Sequence, residues 1–392
     1  MFPTLSHLIE YLTGVYIPLP VQTFGLFVAL AFLGAYWAFK KELIRKEDAG
    51  WINTIKQKFT IGEPPQVLEI LINGVIGFVI GYKLTHALFN YQDLVDDPQG
   101  FLLSTDGSWL GGIILGALFG YWLYNDKKKS QLPQVKTVEK VVHPYELMGQ
   151  VLIWAAIWGI IGAKLFHNLE YWDEFMKDPM DALLSFSGLT FYGGVIFGGI
   201  AVIYYTARKG IRPLHMLDVG APGMMLGYAI GRLGCQLSGD GDWGIENLQA
   251  KPTFLQWLPD WAWAFKFPHN VINEGVPILG CSGKFCHELP LPVYPTSFYE
   301  FLMCLILFIL LWAIRKRIHV PGMLFSIYLV LNGIERFLIE LIRVNSKYHV
   351  GGVAFTQAEL ISSLMIIIGV LGLFYTKTYA LKHPDKTTLK YA

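Results

Sequence analysis

Charged residues are scarce in this chain of 392 residues. They make up 16% of it, against roughly a quarter in soluble domains, whereas 53% of the residues are hydrophobic. A water-soluble protein of this length would need more charge to cover its surface, so an ordinary soluble enzyme is excluded. The 31 basic and 30 acidic residues leave a net charge of +1, which indicates no nucleic-acid partner.

Cysteine and N-terminal basic residues are sparse as well. Four cysteines are too few for a scaffold built on disulfides. The first 17 residues contain no Lys or Arg, so they lack the basic segment that begins a signal peptide.

Apolar residues, by contrast, come in blocks of about 20, which is long enough to cross a hydrocarbon core about 30 Å thick. Block length and flanking charge predict an all-α polytopic membrane protein with about nine transmembrane helices. The predicted spans lie near residues 18–39, 67–90, 109–125, 147–169, 189–207, 214–235, 297–314, 321–342 and 357–376.

Lys and Arg are unevenly distributed between the two sides of this predicted membrane. The loop assigned after the first span carries Lys40, Lys41, Arg45 and Lys46, and later loops on the same side are equally basic. On the other side, residues 91–108 contain no Lys or Arg. Because cytoplasmic loops carry the excess of basic residues, the N-terminus is predicted outside and the C-terminus in the cytoplasm.

A helical hairpin is repeated within the chain, since residues 81–116 resemble residues 162–198. Gly81, Lys83, His86, Gly111 and Gly112 match Gly162, Lys164, His167, Gly193 and Gly194. Tyr192 precedes the second glycine pair where Leu110 precedes the first. The second copy is therefore predicted to carry the chemistry, and the first to be a structural relic.

Four parts are predicted along the chain. Residues 1–66 hold the first span and a cytoplasmic loop, and residues 67–146 hold the duplicated hairpin and a cytoplasmic linker. Residues 147–376 form the functional core with the long outer loop 236–296. Residues 377–392 form a cytoplasmic tail.

Ionisable side chains stand inside the predicted spans, where each costs about 2.5–3.5 kcal/mol to insert. Asn332, Arg336, Glu340 and Arg343 recur at spacings of four, four and three, so they share one helix face. This stripe predicts guanidinium donors for an anion such as phosphate, because the planar Arg fork makes bidentate hydrogen bonds. The alternative is an Arg336–Glu340 pair that only fixes helix packing.

Two further polar clusters fall at the outer half of the membrane. Arg232 lies near the end of the sixth span, and Asp240 and Asp242 follow in a Gly-rich stretch. Irregular polar backbone at the membrane edge usually lines a cavity. Tyr299 and Glu300 open the seventh span. The clusters together predict one cavity facing the outer leaflet, where a phospholipid headgroup is the anion at hand.

Taken together, these residues resemble the prolipoprotein diacylglyceryl transferase family over about residues 145–376. The family's Gly-Arg-x-Gly-Asn signature, with a later Gly-Glu and Gly, corresponds to Gly231, Arg232, Gly234, Cys235, Gly239, Asp240 and Gly244. Its Gly-x-Gly-Arg-x-x-x-Glu-x-x-Arg helix corresponds to Gly333, Arg336, Glu340 and Arg343, and its His-Pro-x-x-x-Tyr-Glu motif to Tyr294, Pro295, Tyr299 and Glu300. Asp218, Ala221 and Pro222 match a motif upstream, and Gly162, Lys164 and Pro179 resemble the family's Gly-Arg segment.

Several motif positions depart from the family. Its His-Gly-Gly, whose His is held to be essential, reads Tyr192-Gly193-Gly194 here. The signature Asn is Cys235, and the motif Tyr on the Arg336 helix is Asn332. The resemblance therefore carries over the fold and both arginines, and it leaves the identity of the general base open.

The resemblance implies an enzyme of the bacterial inner membrane. Its donor would be phosphatidylglycerol, its acceptor the lipobox cysteine that follows a prolipoprotein signal peptide, and it would need no cofactor or metal. Arg232 and Arg336 would hold the departing phosphate, and Tyr192 would act as tyrosinate or orient the headgroup, with Asp240 or water taking the proton. Substrate-binding residues would be Gly193, Gly194, Asp240, Glu340, Arg343, Asn332, Tyr299, Glu300, Asp218 and Lys164.

Two other functions are compatible with the sequence. The repeat and the missing His favour a transporter or flippase for an anionic lipid, although the polar groups gather towards one face and only in the second copy. A non-catalytic paralogue is the third alternative, and the retained buried charges argue against it.

In the outer loop, Cys281 and Cys286 predict a local disulfide, or a metal site with His269 and His287.

Overall fold

The computed structural model describes residues 1–184, 190–345, 347–350 and 353–382. The α-helices of this part are α1 (Leu5–Thr13), α2 (Thr23–Asp48), α3 (Val67–Phe89), α4 (Tyr91–Asp96), α5 (Pro98–Leu103), α6 (Trp109–Ser130), α7 (Met148–Glu170), α8 (Trp172–Lys177), α9 (Pro179–Leu184), α10 (Phe191–Arg208), α11 (Pro213–Ser238), α12 (Thr296–Ile314), α13 (Met323–Glu340) and α14 (Gln357–Lys382). Three two-stranded sheets join β1 (Ile55–Ile61) to β2 (Lys136–Val142), β3 (Val276–Pro277) to β4 (His287–Glu288), and β5 (Lys347–Val350) to β6 (Val353–Thr356).

Nine of the described helices have 18 or more residues, and one lies at each predicted span. They are α2, α3, α6, α7, α10, α11, α12, α13 and α14. Five of them are long and apolar enough to cross a membrane: α2, α3, α12, α14, and α7 together with the 3₁₀ turn before it. The chain is therefore a multi-pass, mainly helical membrane protein.

The first long helix extends further than the sequence predicts. We expected a loop from Lys40, but α2 continues to Asp48, so the predicted loop residues up to Lys46 are helical. Charge at this end is neutralised within the protein, because Arg315 Nε lies 3.0 Å from the Glu42 carboxylate and Lys46 Nζ lies 3.2 Å from that of Asp218. The prediction was wrong because paired charges can stay buried on a helix, whereas isolated ones cannot.

One compact unit comprises Met1–Leu26 and Lys56–Val141, and it is built on the pair α3 and α6. A Cβ atom on Gly81 would lie 2.3 Å from the carbonyl oxygen of Gly111, so the two helices pack closer than a side chain allows. Lys83 Nζ donates to the carbonyl oxygens of Phe101, Ser104 and Asp106 at 2.6–2.9 Å. This lysine holds the loop that returns the chain to α6.

The second unit comprises Phe27–Ile55 and the chain from Val142 onwards. Its α7 and α10 cross in the same way, because a Cβ atom on Gly162 would lie 2.4 Å from the carbonyl oxygen of Gly193. Two short helices, α8 and α9, again stand between the long ones, although residues 185–189 lie outside the described part. The two hairpins predicted to be a repeat thus share the same close glycine contact between their long helices.

Helices α11, α12 and α13 pack around a shared apolar core in this second unit. Fully or almost fully buried members include Met225 on α11, Cys304 and Leu311 on α12, and Leu324 on α13. Asp218 fixes one end of this group, since its carboxylate accepts from the backbone N–H groups of Gly322 and Phe325 at the start of α13. The packing brings the end of α11, the start of α12 and the end of α13 to one place.

The segment between α11 and α12 has a small core of its own, in which Trp243, Phe267, Leu289 and Val293 are buried. Cys281 and Cys286 form a disulfide, as predicted. Because the bond consumes both thiols, the alternative metal site at these cysteines is excluded.

The predicted tail begins as a continuation of the last helix. Residues 377–382 belong to α14, and residues 383–392 lie outside the described part.

The glycine crossing of α7 and α10 gives a first prediction. Gly193→Ala would place a Cβ atom 2.3 Å from the Gly162 carbonyl oxygen, and overpacking of this kind costs about 1–3 kcal/mol. We expect a lower thermal unfolding temperature in detergent for this variant. Gly199→Ala is the matched control on the same helix, since its Cβ atom meets nothing within 4 Å. Equal unfolding temperatures for the two variants would contradict this packing.

Candidate functional site

The candidate site lies where three helix ends meet. In the first turn of α12, the hydroxyls of Thr296 and Ser297 donate to the carbonyl oxygen of Asp242 at 2.9 and 2.7 Å, which ties α12 to the stretch after α11. The backbone of Gly244 pairs with that of Arg343, just beyond α13, in an isolated antiparallel β-bridge. A Cβ atom on Gly244 would lie 2.6 Å from the Ile342 carbonyl oxygen, so this close approach requires glycine.

Glu300 is the centre of the site. Its side chain is fully buried, and its carboxylate receives Arg232 Nε at 3.3 Å, Arg336 Nη1 at 3.1 Å and Arg343 Nη1 at 3.3 Å. The Tyr228 hydroxyl also donates to it, at 2.9 Å. One carboxylate thus connects arginines from α11, from α13 and from the turn that follows α13.

Two further carboxylates complete the charge balance. Asp242 accepts from both Arg232 and Arg343. Glu340 lies 3.0 Å from Arg336 Nη2 and accepts from the Asn345 amide at 2.6 Å. Although burial alone would raise it, the two guanidinium groups hold the pKa of Asp242 below its usual range. The three arginines and three carboxylates therefore form a neutral, connected network.

Two arginines and one carboxylate form the accessible side of this network. Arg232 and Arg336 keep 15% and 14% of their side-chain surface exposed and Asp242 keeps 33%, whereas Glu300 and Glu340 are completely covered. An approaching anion therefore meets arginine N–H donors beside the Asp242 carboxylate, with Glu300 and Glu340 lying behind them. Fixed donors of this kind suit a phosphate group, whose oxygens accept bidentate hydrogen bonds.

Tyr192 reaches the same network. It stands in the first turn of α10, it is half-buried, and its phenol interacts electrostatically with Arg336. Leu110, at the matching place in the first copy, has no polar atom with which to make such an interaction.

Asp240 differs from the other carboxylates of the site. It is partly buried just beyond the end of α11, beside the thiol of Cys235, and within the described residues it has no Lys or Arg partner within 4.0 Å. Burial, and then the negative charge of Asp242, raise the pKa of Asp240 above its usual range. Asp240 is therefore a better proton acceptor than Asp242. Cys235, Asp240 and Asp242 could together ligate a metal ion, but Asp242 already binds two arginines.

Several predicted site residues make structural contacts instead. Asp218 lies 14 positions before Arg232 on α11, about 21 Å at 1.5 Å per residue, where it pairs with Lys46 and caps α13. The Tyr299 hydroxyl donates to the Ala262 carbonyl oxygen at 2.9 Å, and the Asn332 amide donates to the Tyr328 hydroxyl at 3.3 Å. These contacts fix helices and loops rather than face the exposed side of the arginines.

The glycine pair and Lys164 belong to the hairpin of α7 and α10. Gly193 and Gly194 face the backbone of α7, so they allow the two helices to touch and thereby set the position of the neighbouring Tyr192. Lys164 is the repeat counterpart of Lys83, which binds loop carbonyl groups in the first copy. The matching loop positions around 185–189 are outside the described residues.

Glu335 is a residue that the sequence argument did not single out. Its side chain on α13 is almost completely buried, and neither carboxyl oxygen has a hydrogen-bond partner in the described part of the chain. It lies within electrostatic range of Glu300 and Arg336. An ionisable residue in a predicted span could have marked Glu335 as a candidate for the site. It was missed because it does not belong to the series, spaced by four residues, that contains Arg336 and Glu340.

Comparisons with known proteins agree on one family. The profile of the family described as prolipoprotein diacylglyceryl transferase matches residues 12–152 and residues 113–375. Two overlapping matches are what a duplicated segment produces. Three similar proteins are each named phosphatidylglycerol–prolipoprotein diacylglyceryl transferase. The one from Staphylococcus saprophyticus is 28% identical over 70% of this chain and 87% of its own, the one from Finegoldia magna 27% over 73% and 97%, and the one from Corynebacterium efficiens 34% over 54% and 63%.

Proposed function

The chain belongs to the prolipoprotein diacylglyceryl transferase family, and we propose that it transfers the diacylglyceryl group of phosphatidylglycerol to the lipobox cysteine of prolipoproteins. The observation that carries this proposal is the network around Glu300, in which the side chains of Arg232 and Arg336 stay partly exposed. The relatives' names supply the substrates, and the network supplies the chemistry that an anionic phospholipid donor needs.

The proposed arrangement has nine transmembrane helices in a bacterial inner membrane. The distribution of Lys and Arg supports an external N-terminus and a cytoplasmic C-terminus. With that orientation the end of α11 and the start of α12 lie at the outer surface. The arginine network is then at the depth of outer-leaflet headgroups, and the outer loop faces the compartment from which a prolipoprotein presents its cysteine.

Holding the phosphate is the role proposed for Arg232 and Arg336. The glyceryl carbon that carries phosphate is attacked, and the bond from that carbon to the phosphate oxygen breaks with its electron pair going to oxygen. Preorganised cations stabilise charge that develops on a leaving group. Glu300, Glu340 and Arg343 keep the two guanidinium groups in place, and Tyr192 orients the headgroup through its contact with Arg336.

Removing the thiol proton is the role proposed for Asp240. The lipobox thiol has an ordinary pKa of about 8.5 and attacks as the thiolate. The S–H bond breaks, the proton moves to the Asp240 carboxylate, and sulfur forms a thioether with the glyceryl carbon while glycerol phosphate leaves.

The phosphate-binding role is tested by complementation in cells depleted of their own diacylglyceryl transferase. We expect the wild-type chain to restore growth and reporter lipidation, and Arg232→Ala and Arg336→Ala to reduce the lipidation rate about 10²–10³-fold, the usual cost of losing one such donor. Arg208→Ala is the matched control, since Arg208 is exposed at the end of α10 and its guanidinium donates to the Tyr204 hydroxyl on the same helix. Equal rescue by all variants would contradict the role of the cluster.

The proposed base predicts a pH dependence. Because Asp240 must be ionised to take the proton, the rate of the wild-type enzyme should fall as the pH drops through the raised pKa of this carboxyl group. Asp240→Asn should lose most activity and also this acidic limb of the pH–rate profile. Asp260→Asn, in the same outer loop and almost fully exposed, is the control and should keep the wild-type profile. An unchanged acidic limb in Asp240→Asn would exclude Asp240 as the base.

A further inference from the structure

One stretch of the outer loop exposes large apolar side chains although it belongs to no membrane helix. Leu248, Phe254, Trp257 and Trp261 are 69%, 74%, 78% and 40% exposed. We call residues 248–261 the aromatic segment. Phe267 in the same loop is buried, so exposure is not a general property of the large apolar side chains of this loop. An exposed apolar group of this size usually marks an interaction surface.

The backbone of the aromatic segment consists of tight turns. Hydrogen bonds run from Leu255 N–H to the Pro252 carbonyl and from Leu258 N–H to the Leu255 carbonyl, each joining residues three apart. Phe254 lies in the 3₁₀ helix Thr253–Leu255, and Trp257 lies in the turn that follows it. Both exposed rings thus stand on a backbone that is held by its own hydrogen bonds.

Several polar groups of this region are bonded within it. Lys251 Nζ donates to the Leu258 carbonyl oxygen at 2.6 Å, and the Trp263 indole donates to the Gln249 carbonyl oxygen at 2.9 Å. Lys251 Nζ also lies 2.6 Å from the carboxylate of Asp260, whose side chain is 97% exposed. Exposed rings and an exposed charged group thus stand on one segment, which suits the boundary between lipid and water.

The aromatic segment is attached to the end of a membrane helix. The Trp261 ring packs edge-on against Phe298, with 4.9 Å between the centroids, and Ala262 accepts from the Tyr299 hydroxyl. Both contacts fall in the first turn of α12, directly before Glu300. The segment therefore lies at the level where α12 begins, which is the membrane surface.

We propose that the aromatic segment inserts Leu248, Phe254, Trp257 and Trp261 into the headgroup and upper acyl region of the bilayer. Tryptophan and phenylalanine are the residues that favour this interface. The partner is thus the lipid surface itself, and naming it the outer leaflet rests on the proposed orientation. Insertion holds the first turn of α12, and with it Glu300, at headgroup depth.

The cysteine chemistry of the chain allows a direct test by spin labelling. Cys235 and Cys304 are buried and Cys281 is bonded to Cys286, so a thiol introduced on the surface takes the label. Labels would be placed by Phe254→Cys and Trp257→Cys, and by Glu274→Cys as the control at an exposed polar position of the same loop. The full chain would be reconstituted in nanodiscs of phosphatidylglycerol and phosphatidylethanolamine.

Collisions with oxygen and with a water-soluble nickel chelate would then be measured for each label. We expect labels at 254 and 257 to be at least several-fold more accessible to oxygen than to the chelate, relative to the label at 274. Equal chelate access at all three positions would overturn the proposal. So would shielding that arises only when a prolipoprotein signal peptide is added, since the segment would then dock a protein. The readout needs no catalysis, so its failure is distinct from failure of the transferase proposal.

Discussion

The buried carboxylate of Glu300 is the interaction on which the rest of the site depends. It contacts guanidinium groups that the chain delivers from two helices and from the turn after the second of them. Breaking a buried ion pair by removing one partner typically costs 3–5 kcal/mol, because a charge is left unpaired at low dielectric. Here one carboxylate serves three cations. Without it, Arg232 and Arg343 would share only Asp242, and Arg336 would keep only Glu340 as a partner.

Two helical hairpins of the chain pack in the same way. Each has a glycine contact that lets two helices touch, through Gly81 and Gly111 in one hairpin and Gly162 and Gly193 in the other. The hairpins differ at the residue before the glycine pair. The Tyr192 phenol interacts electrostatically with Arg336, whereas the apolar Leu110 stands at the matching place in the other hairpin. The same backbone contact thus accommodates a polar side chain in one hairpin and an apolar side chain in the other.

Sequence reasoning recovered what is encoded locally. The helices follow from apolar block length, and the stripe of Arg336, Glu340 and Arg343 follows from helical spacing. The central place of Glu300 could not be read in this way, since it arises from contacts 36 to 68 positions apart in the chain. The contacts of Asp218 could not be foreseen for the same reason, since its partners Lys46 and Gly322 are distant in sequence.

The most direct test of the account is the product of the purified protein. The full chain in nanodiscs containing phosphatidylglycerol would be given a peptide with a lipobox cysteine, and both products would be followed by mass spectrometry. The account predicts that the cysteine gains one diacylglyceryl group and that one glycerol phosphate is released for each. A peptide that stays unmodified while phosphatidylglycerol binds to the arginine cluster or crosses the bilayer would contradict it.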